Sequence, residues 1–234
     1  MASLQAQFAA RPAWVRCVGL IVLGGVAGLG QAPIDQWPAT IVALAVLLAL
    51  LSEIETPKRA AFYAWLFGVG YFAFSLRWIV EPFLVDIARH GWMAPFALAL
   101  MASGAALFWA IAAGLARRLV PGSMLFTGLA LVVAEMTRSL ILSGFPWALL
   151  GHIWVTTSVA QIAAFGGPHL LTLLTVLGAW GLALLARPAR LVGVIVLGLL
   201  LVLAFVLRPG PPPGPTDDLP VVRLVQPNAP QHQK

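Results

Sequence analysis

The sequence predicts an all-α polytopic membrane protein with about seven transmembrane helices, followed by a proline-rich tether and the opening strand of a soluble domain. Three observations carry that expectation. Hydrophobic residues make up 61% of the 234 and charged residues only 9%, and the apolar residues are gathered into repeated long runs. The basic residues sit in small groups between those runs, which is how loops orient a membrane protein. After Leu207 the composition changes abruptly to RPGPPPGPTDD, a stiff extended segment, and then to VVRLV. The expected division is therefore 1–207 for the transmembrane helices, 208–220 for the tether and 221–234 for the start of a soluble domain. The formal charge of +6 implies no nucleic-acid partner, because it comes from these inter-run groups.

The first run, Trp14 to Gly30, begins among Arg11 and Arg16. It is long and a second run follows almost at once, which argues against a cleaved secretory signal. Cys17, the single cysteine, lies at its edge. It allows neither an intrachain disulfide nor a cysteine-rich metal site, and reads as a small buried or lipid-facing residue. No metal or other cofactor is expected. The second run, Pro38 to Leu51, is short for a full span; whether the pair crosses fully or forms a half-inserted hairpin, the chain returns to its starting side. Glu53, Glu55, Lys58 and Arg59 lead into the third run, Ala60 to Val80, which ends in SLRWIVEP. There Arg77 and Glu81 lie four apart on one face; they either snorkel to the head groups with Trp78 in an aromatic belt or face a substrate. Asp86, Arg89 and His90 follow in a short loop.

The fourth run, Trp92 to Ala116, carries Ala102, Ser103, Gly104 and Ala105, small enough to let helices approach closely. Arg117 and Arg118 close it, Pro121 and Gly122 turn the chain, and the fifth run covers Ser123 to Ser143. The sixth begins at Pro168, a favourable first helical position after two glycines, and continues to Ala186. Arg187 and Arg190 flank the turn to the seventh, Leu191 to Leu207.

The stretch from Glu135 to Trp154 is the costliest to keep. Glu135 and Arg138 lie three apart, on one face of a helix, and can pair. A charge at membrane depth costs about 2.5 to 3.5 kcal/mol on insertion scales, so such residues face a bundle interior or a wet cavity. The connection from Gly144 to Gly167 is too apolar for an ordinary loop and too interrupted for a span. Phe145, Trp147 and Trp154 suit an interface between head group and acyl chain, or serve as an aromatic belt that anchors helix ends. His152 reads as a polar surface residue. Arg11, Arg16, Lys58, Arg59, Arg117, Arg118, Arg187 and Arg190 fall at one set of alternating ends, which the positive-inside rule makes cytoplasmic. The connection after Gly144, the tether and the Glu135/Arg138 pair then share the outer side.

The string E-x-x-R-x-x-x-x-x-G-F-P-W-x-x-L-G, carried by Glu135, Arg138, Gly144, Phe145, Pro146, Trp147, Leu150 and Gly151, resembles the membrane domain of bacterial apolipoprotein N-acyltransferases. The closing RLVQPNAPQHQK is similar to the start of that family's α/β nitrilase-like domain, and the SLRW segment, the run order and the tether fit as well. The resemblance implies an inner-membrane enzyme that moves an acyl chain from a phospholipid to the α-amino group of a lipoprotein's N-terminal diacylglyceryl-cysteine, the last step of lipoprotein maturation. It further implies a thioester on a nitrilase-type cysteine supported by a glutamate and a lysine. None of those three residues carries over, because the chain stops within the first turn or so of that domain; Cys17 belongs to the wrong segment and the wrong side. The expectation is a fragment without catalytic residues, N-terminus cytoplasmic and C-terminal end periplasmic. In it Glu135 and Arg138 structure the outer cavity, while Gly144, Phe145, Pro146 and Trp147, with Arg77 and Trp78, are lipid-facing candidates. Two other readings stand beside it. One is a small transporter with Glu135 and Arg138 lining a path, although no inverted repeat or pair of matching broken helices is present. The other is a non-catalytic membrane anchor for a separately encoded outer domain.

Overall fold

The computed structural model describes Phe8, residues 10–141 and residues 144–206. The tether at 208–220 and the strand expected at 221–225 lie outside the described residues. Each of the seven apolar runs contains a helix: α1 (Ala13–Gly28), α2 (Trp37–Glu53), α3 (Pro57–Ser75), α4 (Ala94–Leu119), α5 (Met124–Leu140), α6 (Ala163–Leu184) and α7 (Arg190–Val206). No strand occurs among the described residues.

Local chemistry explains the boundaries. The Thr56 hydroxyl accepts from the Arg59 amide at 3.4 Å and Pro57 opens α3, its missing N–H falling where no intrahelical partner exists. Ser123 caps α5 in the same way, accepting from the Phe126 amide at 3.1 Å. Arg117 and Arg118 occupy the last turn of α4, where the helix dipole favours cations.

The expectation of about seven crossing helices exceeds what the described residues show. Two helical stretches are long and apolar enough to cross a membrane, Ile87–Leu119 with 33 residues and Ser158–Leu184 with 27; Pro57–Ser75 with Arg77–Leu84 makes a third if the bent pair is one span. By contrast α1 and α2 have 16 and 17 residues, about 24 to 26 Å of helix against a hydrocarbon core of about 30 Å. The third run is not one straight helix either. It ends at Ser75, and the chain bends by 61° into a short helix at Arg77–Val80 and another at Glu81–Leu84. Pro82 has no N–H to carry the first of these turns on. Asp86, Arg89 and His90 are likewise not in a plain loop: Asp86 caps a helical turn, Ile87–His90, its carboxylate accepting from the Arg89 amide at 3.3 Å. In α6, Gly166 and Gly167 are non-helical, Gly167 at φ 65, so the regular helix begins at Pro168.

Packing follows the small residues, since lipid offers no hydrophobic drive between helices and close van der Waals contact must hold them. Gly24 of α1 lies against the Phe67 carbonyl of α3, and Gly70 of α3 against the Ile21 carbonyl of α1. On the other side of α3, Gly68 faces Ala106 of α4, and Ala102 and Ala105 are buried with it, while Gly104 opens outward. Trp109 of α4, fully buried, has its ring 5.0 Å from Phe72, 5.1 Å from Tyr71 and 6.0 Å from Phe67. At the end where α2, α4 and α6 finish, Arg187 pairs with Glu53 at 2.8 Å and donates to the Ser52 hydroxyl at 3.0 Å, and Arg117 donates to the Ser52 carbonyl at 3.2 Å. Both basic groups thereby meet the carbonyl-rich terminus of α2.

Candidate functional site

At the opposite end α5 stops at Leu140, and residues 144–154 fold back over α3, α5 and α6. An irregular segment packed among apolar helices must find partners for each of its polar backbone groups, and here side chains supply them. Arg138 donates from Nη1 to the Phe145 and Trp147 carbonyls at 2.7 and 2.8 Å. The Tyr71 hydroxyl donates to the Ala148 carbonyl at 3.1 Å, and Gln31 Nε2 to the Leu149 carbonyl at 3.0 Å and to the Tyr71 oxygen at 2.6 Å. Glu135 Oε2 accepts from the Leu150 amide at 3.1 Å, and Thr172 Oγ1 from the Gly151 amide at 3.1 Å. The Trp154 indole donates to Thr175 Oγ1 at 2.8 Å. α3, α5, α6 and the connection from α1 to α2 therefore hold one segment by its main chain.

The ion pair is the centre of this frame. Glu135 is 0% exposed and Arg138 3%, with Nη2 to Oε1 at 3.1 Å, and the same Oε1 accepts from the Trp109 indole at 2.8 Å. The guanidinium also lies 4.9 Å from the Phe72 ring centre and 6.0 Å from that of Phe145, a cation–π environment that offsets part of the desolvation cost. Glu135 spends both carboxylate oxygens inside this frame, and Arg138 spends both terminal nitrogens there. What they do chemically is fix backbone position.

The remaining candidates form the rim. Gly144 sits at φ 78, and a Cβ there would meet the Ser139 carbonyl at 2.7 Å, so the tight exit from α5 requires glycine. Phe145 is half-buried and Pro146 exposed. Trp147, 55% exposed, stands with its ring 5.4 Å from that of Trp78, itself 46% exposed. The SLRW and FPW segments, some seventy residues apart in the chain, thus meet as one aromatic edge. Arg77 beside it donates to the Phe74 carbonyl at 3.1 Å and lies over the Phe74 ring.

Gln31, Tyr71, Trp109, Thr172 and Thr175 belong to the site and were not singled out from the sequence. For Tyr71, Trp109, Thr172 and Thr175 the signal was there, since each is a hydrogen-bonding side chain inside an apolar run and such groups need a partner when buried; Gln31 lies just past the end of the first run and carried no such signal. Ser139 and His169 also meet, Oγ to Nε2 at 3.1 Å, but the hydroxyl donates to the Met136 carbonyl at 2.7 Å, so it accepts from the imidazole, the reverse of an activated nucleophile.

His152 is half-buried in the folded-back segment, and burial, assisted by the charges of Arg138 and His169, holds its imidazole below the ordinary range. The folded state therefore resists protonation that the unfolded chain accepts near pH 6.5. Stability from this group is complete above about pH 6.5 and declines as the pH falls toward the lower folded value. Melting followed in detergent micelles between pH 7.5 and 5 is expected to show that decline, and His152→Gln to flatten it; equal slopes for the two proteins would refute the assignment.

Comparison with known proteins adds a family. Residues 23–181 match the apolipoprotein N-acyltransferase N-terminal domain. The chain is 38% identical to an apolipoprotein N-acyltransferase of Caulobacter vibrioides, over 97% of this chain and 44% of the relative. It is 32% identical to one of Rhodopseudomonas palustris, over 76% of this chain and 34% of the relative, and 34% identical to one of Brucella suis, over 77% and 35%. The chain spans less than half the length of these relatives.

Proposed function

Since the chain belongs to the apolipoprotein N-acyltransferase family, we propose that it is the membrane part of an enzyme that moves an acyl chain from a phospholipid to the free α-amino group of a lipoprotein's N-terminal diacylglyceryl-cysteine. The reaction passes through a thioester, which divides one difficult transfer into two easier ones. The glutamate, lysine and cysteine for that chemistry lie beyond residue 234, in a nitrilase-like domain that residues 221–234 begin and residues 208–220 tether. Residues 1–207 supply the membrane part, with seven crossings of the bacterial inner membrane; α1 and α2 reach across by thinning the bilayer locally and by their flanking residues. The N-terminus is cytoplasmic and the tether periplasmic, consistent with the basic groups gathered where α2, α4 and α6 end.

The observation that carries this reading is the frame around residues 144–154. Glu135 and Arg138, costly in lipid, are both committed to holding that segment over the end of the bundle from which α7 leads to the tether. In this reading they shape the outer cavity, and Gly144 to Trp147 with Arg77 and Trp78 border the path by which lipid reaches it. A rigid rim is what two lipid substrates need to be brought to one nucleophile.

The test is N-acylation in proteoliposomes containing phospholipid and a diacylglyceryl lipoprotein acceptor. The 234-residue chain is expected to give no product, and the product of its reading frame continued past Lys234 to acylate the acceptor. Acylation by the 234-residue chain alone, or none by the longer protein, would overturn the reading.

A further inference from the structure

At the end of the bundle where α1 begins and α2 finishes, the two helices leave a groove of about 340 Å³. Gly19, Leu20 and Leu23 of α1 line one wall and Val46 and Leu50 of α2 the other, residues three and four apart and so on one stripe of each helix. The groove is open at Gly19, where nothing lies within 4 Å of the place a Cβ would take. From Ala13 to Leu23 is about 15 Å of helix, half of a hydrocarbon core of about 30 Å, which is the depth one acyl chain fills.

Charge gathers at the polar end of this groove. Arg11 lines it and is exposed, and Phe8, its ring edge-on to that of Tyr63 at 5.9 Å, completes the lining. Arg16 falls on the same stripe of α1, three, four and seven residues before Gly19, Leu20 and Leu23. It is half-buried, and its Nε is buried with no hydrogen-bond partner among the described residues, a costly state for a charged donor. Arg117 and Arg187, at the same end, are spent on the Ser52 and Glu55 carbonyls and on Glu53. Arg11 and Arg16 take part in no ion pair among the described residues, and no carboxylate lines the groove.

We propose that this groove holds one anionic phospholipid of the bilayer, its phosphate bound by Arg11 and Arg16 and one acyl chain laid along Gly19 and Leu23. The guanidinium fork matches phosphate oxygens, and basic pockets between membrane helices suit anionic head groups. A zwitterionic head would bring its own cation toward two arginines, so the same pair that attracts also selects. Residues 144–154 lie at the opposite end, where Gln31, just past α1, reaches the Leu149 carbonyl. The lipid proposed here is therefore neither donor nor acceptor of the acyl chain; it holds the two short helices α1 and α2 side by side.

The measurement is lipid binding without acyl transfer. The 234-residue chain in neutral detergent micelles is titrated with phosphatidylglycerol, phosphatidylcholine and phosphatidylethanolamine of identical acyl chains, and bound lipid is counted by native mass spectrometry. Phosphatidylglycerol is expected to bind about tenfold more tightly than the two zwitterionic lipids. Joint replacement Arg11→Gln and Arg16→Gln removes that preference, whereas Lys58→Gln with Arg59→Gln, exposed cations at the same end outside the groove, keeps it. Gly19→Leu fills the groove and weakens all three lipids; it meets no neighbour, so it keeps the melting temperature of the lipid-free parent and carries the test even where the arginine variant fails to fold. Inorganic phosphate at the same concentrations is expected not to displace phosphatidylglycerol. Equal binding of the three lipids by the parent, a preference that follows Lys58 and Arg59 instead, unchanged binding in Gly19→Leu, or displacement by phosphate would overturn the proposal.

Discussion

Glu135→Ala is expected to destabilise the fold by about 3 to 5 kcal/mol, the cost of leaving one partner of a buried ion pair uncompensated. Arg138 would remain 3% exposed with its carboxylate gone, and the Trp109 indole and Leu150 amide would lose their acceptor in the same step. Two further comparisons separate the pair from its surroundings. Arg138→Met frees the Phe145 and Trp147 carbonyls and is expected to loosen residues 144–154 while the helices persist. The double variant is expected to lose clearly less than the two single losses added together, because residues in one buried network couple. Unfolding in detergent followed by tryptophan fluorescence gives all three values. A loss under about 1 kcal/mol for Glu135→Ala, or strict additivity, would show that the pair does not act as one unit.

Gly24→Val is the second large effect expected. A Cβ at Gly24 would fall inside the Phe67 carbonyl, which is backbone and has no rotamer to turn aside, and Gly70 stands in the same relation to Ile21. Helices α1 and α3 would have to separate, and overpacking of this kind costs about 1 to 3 kcal/mol, with a matching loss from Gly70→Val. Gly19 and Gly104 supply the control. Nothing lies within 4 Å of a Cβ at either, so alanine there is expected to be neutral or to stabilise by up to about 1 kcal/mol through helix propensity. Four glycines in similar apolar runs thus divide by what faces them, and a common response to substitution would contradict the packing.

The division between what could be read and what could not runs through particular residues. All seven helices were legible as apolar runs, and the start of the regular part of α6 was legible in Gly166-Gly167-Pro168, because both signals are local. The bend at Leu76 was not, since the hydropathy of SLRWIV continues past it and a turn of different pitch keeps the same composition. Glu135 and Arg138 were visible as a pair because three residues of helix bring them together. Their other partners were not, because Trp109 comes from α4 and the Leu150 amide from a segment fifteen residues on. The meeting of Trp78 with Trp147 was equally out of reach: each suits an interface by composition, and only the fold sets them 5.4 Å apart.

By itself, then, the sequence determined that this chain would be helical and apolar, where its charges would gather and which buried pair would be costly, because hydropathy, proline and glycine act within a few residues of themselves. The tertiary structure alone decided what that cost accomplishes. Backbone carbonyls look the same in every residue, and which of them receive Arg138, Tyr71 and Gln31 depends on how α1, α3 and α5 cross, a property of close contacts such as Gly24 on Phe67 that no single run contains.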